Sequence, residues 1–304
     1  MNDENFVLIP ENLAIKRPDK KLLEFINAKK FEDKVLYEKE SSFHKISVVE
    51  NEVGRFLHFK NTYQAGFVDT DFYKGNLPYV NYFLIPYLMN PNAKNILLVG
   101  MGTGKIVKDY EVLFEDLDNI DVVDIEENIL DIAQDYFEFK ASDKFNFHLQ
   151  DGIAFLNFNK KKYDIIVVDV ANNEGIDSRF LEDGYLQKIS RSLKRDGIFV
   201  SNLCSSAEFE HPKNIFLPQI LAKYKKIFKN VYTYRGDYSD KVYYKSFFDL
   251  DERVIDVTNV ILISSNKSYD SDEFKELKKE DLEKYLKINV DIYKYLNDLY
   301  KFNV

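Results

Sequence analysis

A single cysteine, Cys204, is all that 304 residues provide, which excludes a disulfide framework and every zinc or iron centre built from several thiolates. Such thiol poverty fits a reducing cytoplasm. Tryptophan is absent, and of the four histidines His58, His148 and His211 have no partner at metal-ligand spacing. No apolar run approaches the roughly 20 residues of a membrane span. The opening stretch, MNDENFVLIPENLAIKRPDK, sets one short apolar run between charges and does not read as a secretory segment. Positive charge is also scarce: 42 lysines and arginines face 51 acids, for a formal net charge of -9 and a pI near 5.2. With the lysines spread along the chain, no basic surface is available for a nucleic-acid partner. Internal repeats and low-complexity linkers are missing as well.

What is present is material for a large core. Hydrophobic residues make up 45% of the chain, with 21 tyrosines and 25 phenylalanines. Residues 1–34 hold one plausible helix, Lys20 to Lys30, and read as an extension or lid. From Val35 the texture changes to β-branched and aromatic segments, VLYEKESSFHKISVVE and GRFLHFKN, split by Asn51 to Gly54. This predicts a small antiparallel β domain over 35–90, ending in strand near Gly75 to Pro78. Past Pro91 strands and helices alternate, so residues 91–268 read as a mainly parallel sheet covered on both faces. Its strands are expected at Asn95 to Val99, Asp121 to Ile125, Asn146 to Leu149, Tyr163 to Asp169 and Ile198 to Asn202, the last entered through a turn at Lys194 to Gly197. Helices are expected at Asn128 to Phe139, Leu181 to Leu193 and Ile215 to Tyr224. Two late strands follow, near Asn230 to Tyr234 and Asn259 to Ser265. The tail, 269–304, reads as charged helix with an apolar stripe through Leu282, Tyr285 and Leu286.

Four signals carry chemistry. The first is VGMGTGK, where an apolar strand hands over to a helix: Gly100, Gly102 and Gly104 let backbone approach a ligand at the switch point of an α/β sheet. A dinucleotide fingerprint needs glycine at the place of Lys105. A phosphate-cradling P-loop needs glycine at Val99 and a hydroxyl residue at Ile106, so both of these readings fail. The second signal is Asp124, at the end of the second strand and about 20 residues beyond the glycines, the spacing at which an acid meets a ribose. The third is the pair Asp151 and Gly152 after the third strand, where an acid accepts from an adenine amino group and glycine leaves room for a ring. In series these describe an adenosine pocket without a phosphate site. Taken singly, each acid is equally a helix cap and each glycine an ordinary turn. The fourth signal is Asp169, closing YDIIVVD above the cleft, a candidate base or a cap on the following turn.

The segments YEKESSFHKISVVE, RFLHFKNTYQ, PNAKNILLVGMGTGK, VVDIEEN, QDGIAFL, YDIIVVDV and LEDGYLQKISRSLKRDGIFVSN together resemble the spermidine synthase family of polyamine aminopropyltransferases, over roughly Val35 to Ser265. The resemblance implies a Rossmann-like seven-stranded Class I S-adenosylmethionine (AdoMet) transferase fold preceded by a small antiparallel β domain. It implies decarboxylated AdoMet as co-substrate, a primary amine or polyamine as acceptor, no permanently bound cofactor, a homodimer and a cytoplasmic location. Gly100, Gly102, Thr103 and Gly104 would form the co-substrate loop, Asp124 and Ile125 hold the ribose and adenine face, and Asp151 and Gly152 bind adenine. His44 falls where the family has a ribose-facing glutamine. Gln64, Tyr79 and Asn172 fall on the acceptor side, Tyr232, Tyr234 and Tyr238 are further candidates to line it, and Asp169 matches the first acid of the family's catalytic loop.

Three positions depart from the family pattern. Thr103 replaces the loop acid that binds the amino group of decarboxylated AdoMet, Asn172 replaces the second acid of the catalytic loop, and PYVNY stands for a tyrosine-histidine-glutamate motif. Glu174 and Asp177 are the acids left to replace the lost charge. An AdoMet-dependent methyltransferase, and a non-catalytic nucleoside or polyamine binder, therefore stay open beside the aminopropyltransferase.

Overall fold

The computed structural model of the chain describes residues 32–43, 45–59, 62–69, 74–170, 178–206, 216–235, 257–269, 279–296 and 299–300. The predicted helix at Lys20 to Lys30, together with His44, Asn172, Glu174, Asp177, His211 and Tyr238, lies outside these residues.

The alternating segments after residue 33 fold as a meander of five antiparallel strands: β1 (Lys34–Glu40), β2 (Lys45–Asn51), β3 (Gly54–Phe59), β4 (Thr62–Asp69) and β5 (Lys74–Asn76). Asn51 makes the β2–β3 hairpin, its side-chain oxygen accepting from the backbone of Val53 at 2.9 Å and Gly54 at 3.3 Å. Ile46 and Val48 in β2 and Phe56 and Leu57 in β3 are fully buried. A 3₁₀ helix (Pro78–Leu84) and α1 (Pro86–Met89) then lead into the second sheet.

That sheet contains β6 (Asn95–Val99), β7 (Asn119–Asp124), β8 (Phe145–Leu149), β9 (Tyr163–Val168), β10 (Leu193–Ser206), β11 (Asn230–Arg235), β12 (Val257–Ser265) and β13 (Leu299–Tyr300), in the order β13-β11-β12-β10-β9-β6-β7-β8. Helices α2 (Lys105–Leu113), α3 (Ile129–Phe137), α4 (Gly152–Phe158), α5 (Asp183–Ser192) and α6 (Phe216–Ile227) join the strands. Both faces are apolar because these strands alternate between two cores: Ile96, Leu98, Ile165 and Val167 enter one, Leu97, Val99, Ile166 and Val168 the other. Strands β6 to β10 run parallel, and β12 runs antiparallel between β10 and β11. The seven expected strands are all present, and the tail adds β13 as an eighth.

Three local details go beyond the expectations. Leu193 already pairs with Tyr163 and the ladder resumes at Ile198 with Ile165, so the turn expected at Lys194 to Gly197 is an irregularity inside β10 rather than its entrance. Residues 152–158, which had no predicted element, are helix α4, because the Asp151 carboxylate accepts from the amides of Ile153 and Ala154 and caps it. In the tail, helices α7 (Lys279–Lys287) and α8 (Ile292–Leu296) bury Tyr285 but leave Leu286 72% exposed, since it faces about 100° away from its neighbour. The tail clasps the segment after β5. The hydroxyl of Tyr285 donates to the carbonyl of Leu84 at 2.7 Å, and Asn81 Nδ2 donates to the hydroxyl of Tyr295 at 2.6 Å.

One buried acid serves the fold alone. Asp121, 4% exposed on β7, accepts from Asn119 at 2.8 Å, Lys161 at 2.8 Å and the Tyr163 hydroxyl at 2.9 Å, and pairs with His148 Nε2 at 2.9 Å. Burial pushes its carboxyl up, but these partners outweigh burial and hold it below the usual carboxylate range. Asp121→Ala orphans the buried Tyr163 hydroxyl and takes the shared acceptor from three partly exposed donors, and is expected to cost about 2 kcal/mol in thermal or urea denaturation at pH 7. Because the folded pKa is depressed, the gap is fully open above about pH 4 and closes as pH falls below it.

Candidate active site

The chain order reverses between β6 and β9, which lie side by side, so the crevice at the carboxyl ends of the parallel strands opens there. The last rungs of the ladder fix its floor. The amide of Gly100 donates to Val123 O at 2.8 Å and that of Asp169 to Val99 O at 2.9 Å. Gly100 has φ 95°, and a Cβ there would lie 2.2 Å from the carbonyl oxygen of Asp169, so only glycine lets the loop and the acid approach this closely. Gly104, with φ 75°, precedes α2, and a Cβ on it would meet the Phe139 ring at 2.6 Å. Gly102 lies under β4, its would-be Cβ 3.4 Å from Ala65. The small sheet thus roofs the glycine loop, and Gln64 belongs to the same strand.

Asp124 ends β7 with its carboxylate turned toward this loop, Oδ2 accepting from the amide of Met101 at 2.7 Å and Oδ1 from that of Glu126 at 2.9 Å. It braces the turn, and each oxygen keeps a second lone pair for a ligand hydroxyl. Burial raises its pKa against those two hydrogen bonds. Ile125 beside it is half-buried, and Thr103 is buried at 8% exposure.

Asp151 follows β8. Its Oδ1 caps α4 and its Oδ2 meets Arg179 Nη1 at 3.2 Å, so it is both the cap and an acid at the rim. Gly152 does not open space for a ring: a Cβ there would sit 2.5 Å from Val99 Cγ1, so the missing side chain lets α4 close on β6.

Asp169 lies over the switch point. Its Oδ1 accepts from Asn202 Nδ2 at 3.0 Å and its Oδ2 faces the Tyr79 hydroxyl at 3.4 Å. Burial pushes its pKa up to about 6, against the pull of those two hydrogen bonds. The carboxylate is thus ionised at neutral pH and within reach of protonation, as a base must be. Strands β9, β6, β7 and β8 are successive neighbours about 4.8 Å apart, so Asp169, Gly100, Asp124 and Asp151 stand in one row roughly 15 Å long. A nucleoside with a short side chain fits such a row.

Sequence reasoning missed Asn202, Asn259 and Arg179. The signal for Asn202 was present: IFVSN, like YDIIVVD, is an apolar strand ending on a polar residue, and Val168 pairs with Ser201, one residue before it. Asn259 had no local signal, because it lies near the start of a late strand that only tertiary pairing brings to this edge. Tyr234 packs on Tyr82, ring centroids 5.9 Å apart, and the Tyr232 hydroxyl donates to Tyr269 O at 3.5 Å, so both are engaged beneath the tail.

A family model for the spermine/spermidine synthase domain matches residues 83–244. The polyamine aminopropyltransferase of Alkaliphilus metalliredigens is 25% identical over 206 residues, 66% of this chain and 70% of that protein. That of Methanocaldococcus jannaschii is 27% identical over 198 residues, 63% of this chain and 64% of the relative. Among solved structures, spermidine synthase from Thermotoga maritima superposes with a TM-score of 0.60 at 15% identity, covering 88% of this chain and 84% of that one. A spermidine synthase in complex with the transition state analogue AdoDATO gives a TM-score of 0.63, also at 15% identity, covering 88% and 85%.

Proposed function

This chain belongs to the spermine/spermidine synthase family, and from that premise we propose that it is an aminopropyltransferase, moving the aminopropyl group of decarboxylated AdoMet to a primary amine such as putrescine and releasing methylthioadenosine. The observation that carries the reading is Asp169, with a pKa raised to about 6 and with its backbone touching the glycine loop. The family's small-molecule chemistry needs such a group. The amine nitrogen gives up a proton to Asp169 and bonds to the methylene carbon beside the sulfonium. The carbon–sulfur bond breaks, and its electron pair leaves sulfur as a neutral thioether.

Magnitudes limit what Asp169 does. A primary amine has a pKa near 10, so a base near 6 is about four units short of deprotonating the ammonium, roughly 5.5 kcal/mol. The nitrogen therefore reacts from its free-amine form, which alone has the lone pair for the bond to carbon, and Asp169 takes a proton from it as that bond forms; the remaining acceleration comes from aligning nitrogen, carbon and sulfur. The rate is expected to rise with pH twice, first as Asp169 ionises near 6 and again as free amine accumulates toward 10. In this reading Asp124 accepts the ribose hydroxyls, Asp151 the adenine amino group, and Tyr79, Gln64 and Asn172 border the acceptor. The protein acts in the cytoplasm as a homodimer.

Thr103 supports a second reading. A buried neutral residue in the glycine loop leaves AdoMet's carboxylate unopposed, as a methyltransferase requires. Incubating the purified protein with decarboxylated AdoMet or AdoMet and a panel of amines separates the two. Methylthioadenosine is expected; S-adenosylhomocysteine instead identifies a methyltransferase, and neither product excludes both.

A further inference from the structure

Asn202 lies against Asp169 from the neighbouring strand β10, and its carboxamide nitrogen spends both hydrogens. One goes to Asp169 Oδ1 at 3.0 Å and the other to Asn259 Oδ1 at 2.9 Å. Among the described residues, Asn202 Oδ1 is buried without a hydrogen-bond partner, and Asn202 and Asn259 are 6% and 2% exposed. A buried acceptor left unpaired is costly, so something must prevent the amide from turning over to use it. Turned over, the oxygen could accept from Asp169 only once that acid is protonated, and it would also face Asn259 Oδ1 and lose the N–H···O bond there.

We infer that Asn259, on β12, is a positioning residue for the transfer reaction: by accepting from Asn202 it locks that amide with its N–H on Asp169. The lock matters because the two orientations favour opposite protonation states. An N–H stabilises the carboxylate, whereas the carbonyl oxygen would accept a hydrogen bond from the protonated acid. An unlocked Asn202 can follow Asp169 into its protonated form. A locked one cannot, and it holds the proton affinity of the base down against burial. Two elements face the carboxylate with hydrogen-bonding side chains, the 3₁₀ helix with Tyr79 and β10 with Asn202, and Tyr79 is the ionisable one among the described residues.

The inference rests on Asp169 being the base, so its test reads both the reaction and the acid. Asn259→Leu keeps the branched shape, with somewhat greater bulk, and removes the acceptor; Asn259→Ala removes the acceptor with no risk of overpacking. In both, the acid limb of kcat/KM is expected to move up by about one pH unit, which is about a tenfold loss below pH 6 and little loss at pH 9. Asn202→Leu should move it as far, and adding Asn259→Leu to Asn202→Leu should move it no further. A loss of equal size at every pH, an unmoved limb, or full additivity with Asn202→Leu overturns the inference. The Asp169 carboxyl titration, followed by carbon NMR without substrate and assigned with Asp169→Asn, separates the two ideas. If that titration shifts in the Asn259 variants while turnover has no Asp169 limb, the lock stands and the base assignment falls. An unshifted titration defeats the lock whatever the turnover.

Discussion

Replacing Asp169 with asparagine is expected to lower turnover by roughly 10²- to 10⁴-fold, the usual contribution of a placed base, while methylthioadenosine still binds. The same change should stabilise the protein above neutral pH. The folded state holds Asp169 at about 6 against an ordinary value of 3.8, so it binds this proton more tightly than the unfolded chain does. The stabilisation from protonation is complete below about pH 4 and is lost as pH rises through about 6, a loss of about 1 to 3 kcal/mol after allowing for partial solvent contact. Asparagine cannot ionise and escapes that loss. Thermal denaturation at pH 4 and pH 8 should show equal stabilities at the acid end and a higher Tm for Asp169→Asn at pH 8. Retained turnover removes Asp169 as the base, and a stability difference independent of pH denies that its carboxylate is held under strain.

Gly100→Ala is expected to harm both binding and turnover more than any other single methyl in the loop. Its Cβ would lie 2.2 Å from Asp169 O and 3.0 Å from the carbonyl carbon, contacts that only movement of the β6 or β9 terminus can relieve. A φ of 95° adds strain of its own. Movement on the order of an ångström at a reacting group costs about 10²-fold, so kcat/KM should fall by at least that much, together with weaker methylthioadenosine binding. Gly102→Ala is the comparison: its Cβ meets Ala65 at an ordinary 3.4 Å, and its φ of 54° costs only about 1 kcal/mol, so it should lose far less in the same steady-state assay. Equal losses at the two positions would mean that the loop acts as a unit and that contact with Asp169 is not what Gly100 protects.

The strands around the crevice were legible because parallel strands buried on both faces read as largely apolar runs: NILLV, DVVDI and YDIIVVD each announce themselves, and their carboxyl ends lead to or contain Gly100, Asp124 and Asp169. Helix α4 was not legible, since seven residues of GIAFLNF show too little period, and its start depends on a cap that was read as a ligand contact. Asp151 does both, a double duty that spacing alone does not reveal. Gly152 was assigned open space on chemical grounds, whereas the structure gives that space to Val99. Asn259 lies 57 residues from Asn202 in sequence, and only the antiparallel pairing of β12 with β10 brings the two amides together. Leu286 misled in the opposite sense: a one-turn helix stripe includes neighbours that the actual rotation of α7 leaves in water.

The claim beneath all of this is that one row along β9, β6, β7 and β8, three acids and the glycine loop, receives a single sulfonium nucleoside. A crystal structure with methylthioadenosine tests it most directly. The account predicts the adenine at Asp151, the ribose hydroxyls on Asp124 and the thioether sulfur facing Asp169 across the glycine loop. An empty crevice, or a nucleoside bound elsewhere on the molecule, would contradict it.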